Sequence, residues 1–341
     1  MRIATYNTEW FDELFSRDNR LLADDNWSRR YNVTRAQQLE ALGKVFTALD
    51  ADAIMVIEAP NAHTAAIGQQ RLELFAAWAG LRARKALIGF TNETEQEIAL
   101  LYDPDVLSAK HDPMGAPGSQ RAGESPRFDG TYRIDLDIDA TLDVVRFSKP
   151  PLEALVTHLA SGFEFRMIGV HAKSKAPHGA DTPDEMTRIS IANRRKHLAQ
   201  CIWLRERIEA HLNAGESLIV LGDFNDGPGL DEYEKLFGRS GLEIVIGEGD
   251  GPRLLDPHAR LIMSQKMGAR PTSARFYISS EKCYLQALLD YVMLSPDLVA
   301  RRAVWRIWHP FDDPGIYAVP ELRDALLTAS DHFPVSVDIE F

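Results

Sequence analysis

Leu218-Ile219-Val220-Leu221-Gly222-Asp223-Phe224-Asn225-Asp226 runs four apolar residues into a polar turn. An apolar run of that length, closed by Gly, Asp and Asn, predicts a buried strand that stops at a turn. The same junction recurs along the chain. Arg2–Asn7 predicts a strand followed by Glu9, Ala53–Ile57 a strand closed by Glu58, and Phe163–Val170 a strand running into His171. Leu288–Leu294 predicts a strand with Asp290 near its head, and Asp331-His332 precede the alternating Val335, Val337, Ile339 and Phe341. Singly, each polar residue reads as an ordinary turn or solvated group. Jointly they share one rim if the sheet is mixed, because a strand's end lies beside the start of its antiparallel neighbour.

Helical signals frame these strands. Thr34–Asp50 predicts a helix, with Thr34 and Gln37 as a capping box and Leu39, Leu42, Phe46 and Leu49 at helical spacing. Arg188–Leu212 predicts a second, amphipathic helix. Its apolar stripe holds Ile191, Leu198, Ile202, Arg205 and Leu212, with Arg194 inside the stripe and Lys196 roughly opposite. Asp129–Asp143 and Leu152–Val170 read as strands joined by turns, which makes the predicted sheet mixed rather than parallel. His111–Gly130, rich in Gly, Pro and Ser, reads as one long loop, and no linker divides the chain. Residues 1–341 are therefore expected to form a single domain.

The balance of 38 basic against 50 acidic residues gives a net charge of −12. That opposes a whole-molecule affinity for nucleic acid while leaving room for a local basic groove. Cys201 and Cys283 stand far apart, in no zinc-ligand or disulfide-framework spacing. Met1–Phe11 lacks the apolar stretch of a signal peptide, and no apolar run approaches the ~20 residues that span a bilayer. A cytoplasmic setting without a membrane span is the expectation.

Seven stretches, in order, carry a family resemblance: Ala4-Thr5-Tyr6-Asn7, Ile54-Met55-Val56-Ile57-Glu58, Phe147-Ser148-Lys149-Pro150-Pro151-Leu152, Gly169-Val170-His171-Ala172-Lys173-Ser174-Lys175, Leu221-Gly222-Asp223-Phe224-Asn225-Asp226, Leu289-Asp290-Tyr291-Val292 and Ser330-Asp331-His332-Phe333-Pro334-Val335. The set resembles the endonuclease/exonuclease/phosphatase superfamily, and within it the bacterial nuclease-like members. The resemblance implies a DNase I-like α/β four-layer sandwich, two mixed β-sheets packed face to face and flanked by helices. It also implies a metal-dependent hydrolase of phosphoester bonds. Two positions depart from the common pattern: Ile57 stands where many members carry Gln, and Lys149 where Arg is common.

The residue chemistry agrees. Phosphoester hydrolysis needs a charge-stabilising cation, a positioned water and stabilisation of the leaving oxygen. Glu58, Asn7 and Asp331 offer hard oxygen ligands that suit Mg²⁺ or Mn²⁺. Asp290 beside His332 makes a carboxylate–imidazole pair, and Asn225 and His171 supply hydrogen bonds to phosphoryl oxygens. Either Asp223 or the Asp290–His332 pair is a candidate for the base that takes the water's proton. Lys173, Lys175 and Arg194 form a candidate phosphate-binding edge. The insertion holding Arg17, Arg20, Trp27, Arg29, Arg30 and Tyr31 is a second substrate-facing candidate, weighed against a surface loop that covers the core. Three functions fit this reading: a nuclease acting on DNA or RNA, a phosphatase or phosphodiesterase acting on a small molecule or lipid head group, and an inactive binding module. The retained polar set disfavours the last; the net charge favours the second, but the Lys173–Lys196 basic cluster places the nuclease first. Neither the Leu-Gln-Glu-x-Lys stretch of abasic-site repair enzymes nor the Trp-x-Asp-Arg stretch of inositol phosphatases is present.

Overall fold

The computed structural model describes every residue except 61–63, 93, 95, 117–124, 136–141, 178, 229–236, 250, 265–269 and 279–281. In chain order the main elements are β1 (Arg2–Asn7), α1 (Arg35–Leu49), β2 (Ala53–Ala59), α2 (Ala65–Ala79), β3 (Lys85–Ile88), β4 (Glu97–Tyr102) and β5 (Leu107–His111). β6 (Tyr132–Ile134), β7 (Asp143–Val145), β8 (Leu152–His158), β9 (Phe163–His171), α3 (Pro183–Asn213) and β10 (Leu218–Asp223) follow. The last strands are β11 (Ala274–Ile278), β12 (Cys283–Ala287), β13 (Asp290–Leu294), β14 (Val304–Ile307) and β15 (Val335–Asp338).

Two large sheets result, ordered β14-β15-β1-β2-β4-β3 and β13-β10-β9-β8-β5. Each is built around one parallel pair, β1 with β2 and β9 with β10, flanked by antiparallel neighbours. Between the sheets lie Ile3, Met55, Ile57 and Leu100 from the first, packed on Leu152, Phe165, Met167, Ile219, Leu221 and Val292 from the second. Residues one step along each strand face outward, as the period of two requires. Ala4, Tyr6, Ile54 and Val56 pack under α1 and α2, and Ile168, Val170 and Val220 pack under α3. Both faces of the central strands are thus buried, which is why their sequences are continuous apolar runs. The fold is the expected DNase I-like sandwich of helix, sheet, sheet and helix.

Local sequence sets the helix ends. The capping box of Thr34 and Gln37 starts α1, and Asp50 ends it in the left-handed region at φ 41°. α3 begins five residues before the expected Arg188, because Thr182, Pro183 and Glu185 form a second capping box with Pro at the first turn. Its buried arc is also wider than the predicted stripe. Cys201, Leu204 and Ile208 lie at its centre, and Leu198 and Arg205 on one flank.

Strand ends differ in instructive ways. β2 runs past Glu58 to Ala59 through a bulge, whereas β13 begins only at Asp290 and β15 ends at Asp338. The expected strands across Asp129–Asp143 are the β6–β7 hairpin, with part of the intervening segment outside the described residues. Part of the expected loop at 111–130 lies outside them as well.

Gly222 is required twice over. Its φ is +139°, and a Cβ there would strike the backbone of Val170 on β9. Gly222→Ala should therefore destabilise the protein by about 3 kcal/mol or more, read by denaturant melting. An unchanged midpoint would refute the close approach.

Candidate active site

The two parallel pairs end on the same rim. Asn7 closes β1 and Glu58 lies one residue from the end of β2 in one sheet, while His171 and Asp223 close β9 and β10 of the other. Their antiparallel neighbours start there. Asp290 opens β13 directly opposite Asp223, His332 stands just ahead of β15, and Lys149 stands ahead of β8.

Glu58 reaches the rim because of the bulge. The pairing of β2 with β4 shifts between Ile57 and Ala59, and Glu58 sits at φ 58°. Its Oε2 accepts the Trp10 N–H at 3.0 Å. Glu9 and Trp10 are both left-handed, at φ 46° and 62°, a conformation that costs of order 1–3 kcal/mol per residue unless its surroundings enforce it. Here they do. Gln38 Nε2 donates to the Glu9 carbonyl at 2.9 Å, Glu9 N–H donates to Asn7 Oδ1 at 3.1 Å, and Arg30 ion-pairs with the Glu9 carboxylate. Glu9 Oε2 in turn accepts the Asp331 N–H at 2.9 Å.

Asp223 is the hub. Its Oδ2 accepts from Asn7 Nδ2 at 3.0 Å and from Asn225 Nδ2 at 3.2 Å, and its Oδ1 accepts the Asn225 N–H at 2.8 Å. Two imidazoles face it, His171 Nε2 at 3.6 Å and His332 Nε2 at 3.9 Å. His332 Nδ1 donates to Asp290 Oδ2 at 2.7 Å, and the Ser273 hydroxyl donates to the same oxygen at 2.8 Å. Lys149 Nζ lies 3.2 Å from His171 Nδ1, near Glu58 and Asp223.

The charges follow from this crowding. Burial pushes Asp223 up to about 7, against the pull of His332 and with help from Asp290. Burial opposes charge on His332, but Asp290 and Asp223 outweigh it and hold the ring well above the ordinary histidine range. His171 goes the other way: burial, then Lys149 and His332, keep it neutral. Burial likewise raises Glu58, despite Lys149 and the Trp10 N–H, and lowers Lys149, despite Glu58 and Asp223.

The donor set fits a hard divalent cation. Glu58 is a desolvated carboxylate whose only hydrogen bond among the described residues is the Trp10 N–H, and Asp331 is near enough to raise its pKa further. Asn7 stands beside them with its amide already engaged at both ends. Asp223, Asp290 and His332 also gather ligand atoms within 4.8 Å of one another. In that trio, however, the imidazole spends Nδ1 on Asp290 and stays protonated, so we read it as an acid–base unit rather than an ion cage.

The structure thus brings Asn7, Glu58, His171, Asp223, Asn225, Asp290, Asp331 and His332 together. It does not bring the whole expected phosphate edge into the open. Lys175 is ion-paired with buried Asp226, and Arg194 is 2% exposed on α3, its guanidinium 5.6 Å from the Phe237 ring. Lys173 remains half-exposed, and burial and neighbouring Lys196 lower its pKa. Sequence reasoning gave no site role to Lys149 or Ser273. Lys149 shows the same signal as the others, a polar residue just outside an apolar strand, but adjacent Pro150 and Pro151 make it read as a loop. Ser273 carries no such signal.

The sequence model of the Endonuclease/Exonuclease/phosphatase family matches residues 4–332, and the chain belongs to that family. Members are hydrolases of phosphoester bonds and are generally dependent on a divalent metal. Among similar solved structures are a 3′-5′ exonuclease from Neisseria meningitidis, 14% identical, covering 100% of both chains with a TM-score of 0.51. A mannosyl-6-phosphatase from Bacteroides thetaiotaomicron is 15% identical, with 100% of both chains covered and a TM-score of 0.50. A truncated TDP2 from Caenorhabditis elegans is 12% identical, covering 100% of this chain and 97% of its own, with a TM-score of 0.51. These likenesses establish the fold. A search of curated protein sequences gives no match. Among the described residues, no helix is long and apolar enough to cross a membrane.

Proposed function

We propose that this chain, as one domain over residues 1–341, is a cytoplasmic metal-dependent nuclease that hydrolyses phosphodiester bonds of DNA or RNA. The observation that carries the reading is the row of lysines at the rim. Lys173 stands near enough to Lys149 and to Lys196 to repel each, on a chain of net charge −12, and among the described residues neither Lys173 nor Lys196 has a carboxylate partner. Concentrating cations beside the site of an acidic protein suits a polyanion that continues past the reacting phosphate.

In this mechanism Asp223 takes the proton of the attacking water, since its pKa of about 7 matches a base working near neutrality. The His332 imidazolium, oriented by Asp290, faces the charge that develops on the phosphoryl oxygens. His171 and Asn225 hydrogen-bond those oxygens, and Lys149 adds a cation beside them. Glu58 and Asp331, with Asn7 alongside, would hold Mg²⁺ or Mn²⁺, which when bound would supply neutralisation of phosphate charge. Lys173 contacts a flanking phosphate, while Lys175 and Arg194 act behind it, Lys175 by holding Asp226 and Arg194 by packing α3 against Phe237.

Cleavage assays with Mg²⁺ and Mn²⁺ across single-stranded DNA, duplex DNA, RNA and small phosphoesters test the reading. In an Asp223→Asn background, oligonucleotide affinity should fall steeply with salt, and Lys173→Ala should flatten that slope by about 0.7 to 0.9 in log K per log salt. Turnover of a soluble phosphomonoester with no oligonucleotide cleaved would instead make the protein a small-molecule phosphatase, as its net charge alone would suggest.

A further inference from the structure

The β11–β12 hairpin belongs to neither large sheet, yet its base is tied to the reacting groups. The Ser273 hydroxyl donates to Asp290 Oδ2, Arg275 N–H donates to the Asp331 carbonyl at 2.7 Å, and Ala274 bridges His332. The antiparallel register sets Tyr277 opposite Tyr284 and Arg275 opposite Gln286, so these four share one face. Phe276 takes the other face and packs on Ala274, Ala287 and Leu289.

On the shared face, planar groups interleave. The Arg275 guanidinium lies 3.5 Å from the Tyr284 ring centroid and 5.7 Å from that of Phe311. Tyr284 meets Tyr277 edge-on at 5.3 Å. Tyr277, Tyr284 and Phe311 are 52%, 54% and 43% exposed, a large aromatic area for a hairpin to leave in water. Arg275 is also unlike most arginines of this protein. Arg2, Arg35, Arg71, Arg82 and Arg166 each pair with a carboxylate, whereas among the described residues Arg275 is held by rings alone and keeps its charge available.

We propose that this face is a stacking platform for the bases of single-stranded nucleic acid on one side of the scissile phosphodiester, with Arg275 contacting a backbone phosphate. Exposed rings accept bases of any sequence, and an unneutralised guanidinium between them supplies the phosphate contact. Alternate residues along a strand sit about 7 Å apart, a spacing that an extended strand of nucleotides can follow outward from Asp290 and His332. The platform deepens the nuclease reading and rests on it.

Binding of a labelled single-stranded deoxythymidine oligonucleotide, by fluorescence anisotropy in the Asp223→Asn background, tests it. Tyr277→Ala and Tyr284→Ala should each weaken binding by about tenfold, while Tyr277→Phe and Tyr284→Phe keep it within about twofold. Melting curves establish that each variant is folded, and the Phe variants serve where an Ala variant is not. Arg275→Ala should lower the salt slope by about one phosphate contact. If wild type binds and cuts the oligonucleotide but folded Ala variants bind it equally well, the platform falls and the nuclease reading stands. A loss in the Phe variants as large as in the Ala variants overturns stacking as the contact. If wild type neither binds nor cuts any oligonucleotide yet hydrolyses a small phosphoester, the nuclease reading falls and takes the platform with it.

Discussion

Replacing His332 by Ala should lower kcat by about 10³-fold or more. The ring is buried, held as a cation by Asp290 and Asp223, and its Nε2 lies 3.9 Å from Asp223 Oδ2, so its charge acts with little screening by water. Asp290→Asn should cost a similar factor, because an amide cannot replace the carboxylate that accepts the Nδ1 proton and stabilises the imidazolium. The double variant should then be scarcely worse than either single one, since the pair acts as a unit. Additive losses in this double-mutant cycle, measured on the hydrolysis rate, would mean that the two side chains do separate jobs.

Glu58 should show opposite effects on stability and on metal binding. Burial raises its pKa, so its ionised form costs folding free energy at neutral pH, and that cost disappears as pH falls below the carboxylate's unfolded value. In the absence of metal, Glu58→Gln should therefore melt higher than wild type at neutral pH, by roughly 2 °C, and equal to it in acid. Added Mn²⁺ should reverse the order, because a divalent ligand stabilises only the protein that binds it. Calorimetric titration should show Mn²⁺ binding lost or severely weakened in Glu58→Gln and Glu58→Ala. Equal Mn²⁺ affinity across all three proteins would remove Glu58 from the metal site.

Much of this site could be read from the sequence because catalytic polarity interrupts apolar runs at strand ends. Asn7, His171 and Asp223 each terminate a strand buried on both faces, Glu58 lies one residue short of the end of another, and such strands announce themselves as unbroken hydrophobic stretches. Thr34 with Gln37 was as legible, since a capping box is a local hydrogen-bond pattern. Other features depend on tertiary partners that spacing does not encode. Lys173 and Lys175 look alike in sequence, and only the fold gives Lys175 to Asp226. The bulge at Glu58 leaves no compositional trace. α2 is less legible because its Ala-rich sequence lacks the capping box that marks the start of α1. The β11–β12 hairpin is hard to read because most of its side chains are not buried enough to impose a clear alternation.

The placement of the reactive groups on two separate sheets makes alignment between the sheets a catalytic variable. Asn7 reaches Asp223, His332 reaches Asp290, and Glu58 lies beside Lys149, each pair joining segments that belong to opposite sheets. No single strand or hairpin carries a working half of the chemistry. A slip of one sheet past the other would stretch all three pairings together, whereas bending within either sheet would largely preserve its own groups. Where Gly169 lets Met55 seat deeply between the sheets, beneath the catalytic rim, the protein fixes that alignment. The interior packing is in this sense the adjustment screw of the active site, and residues that never meet a phosphate set how closely its parts meet.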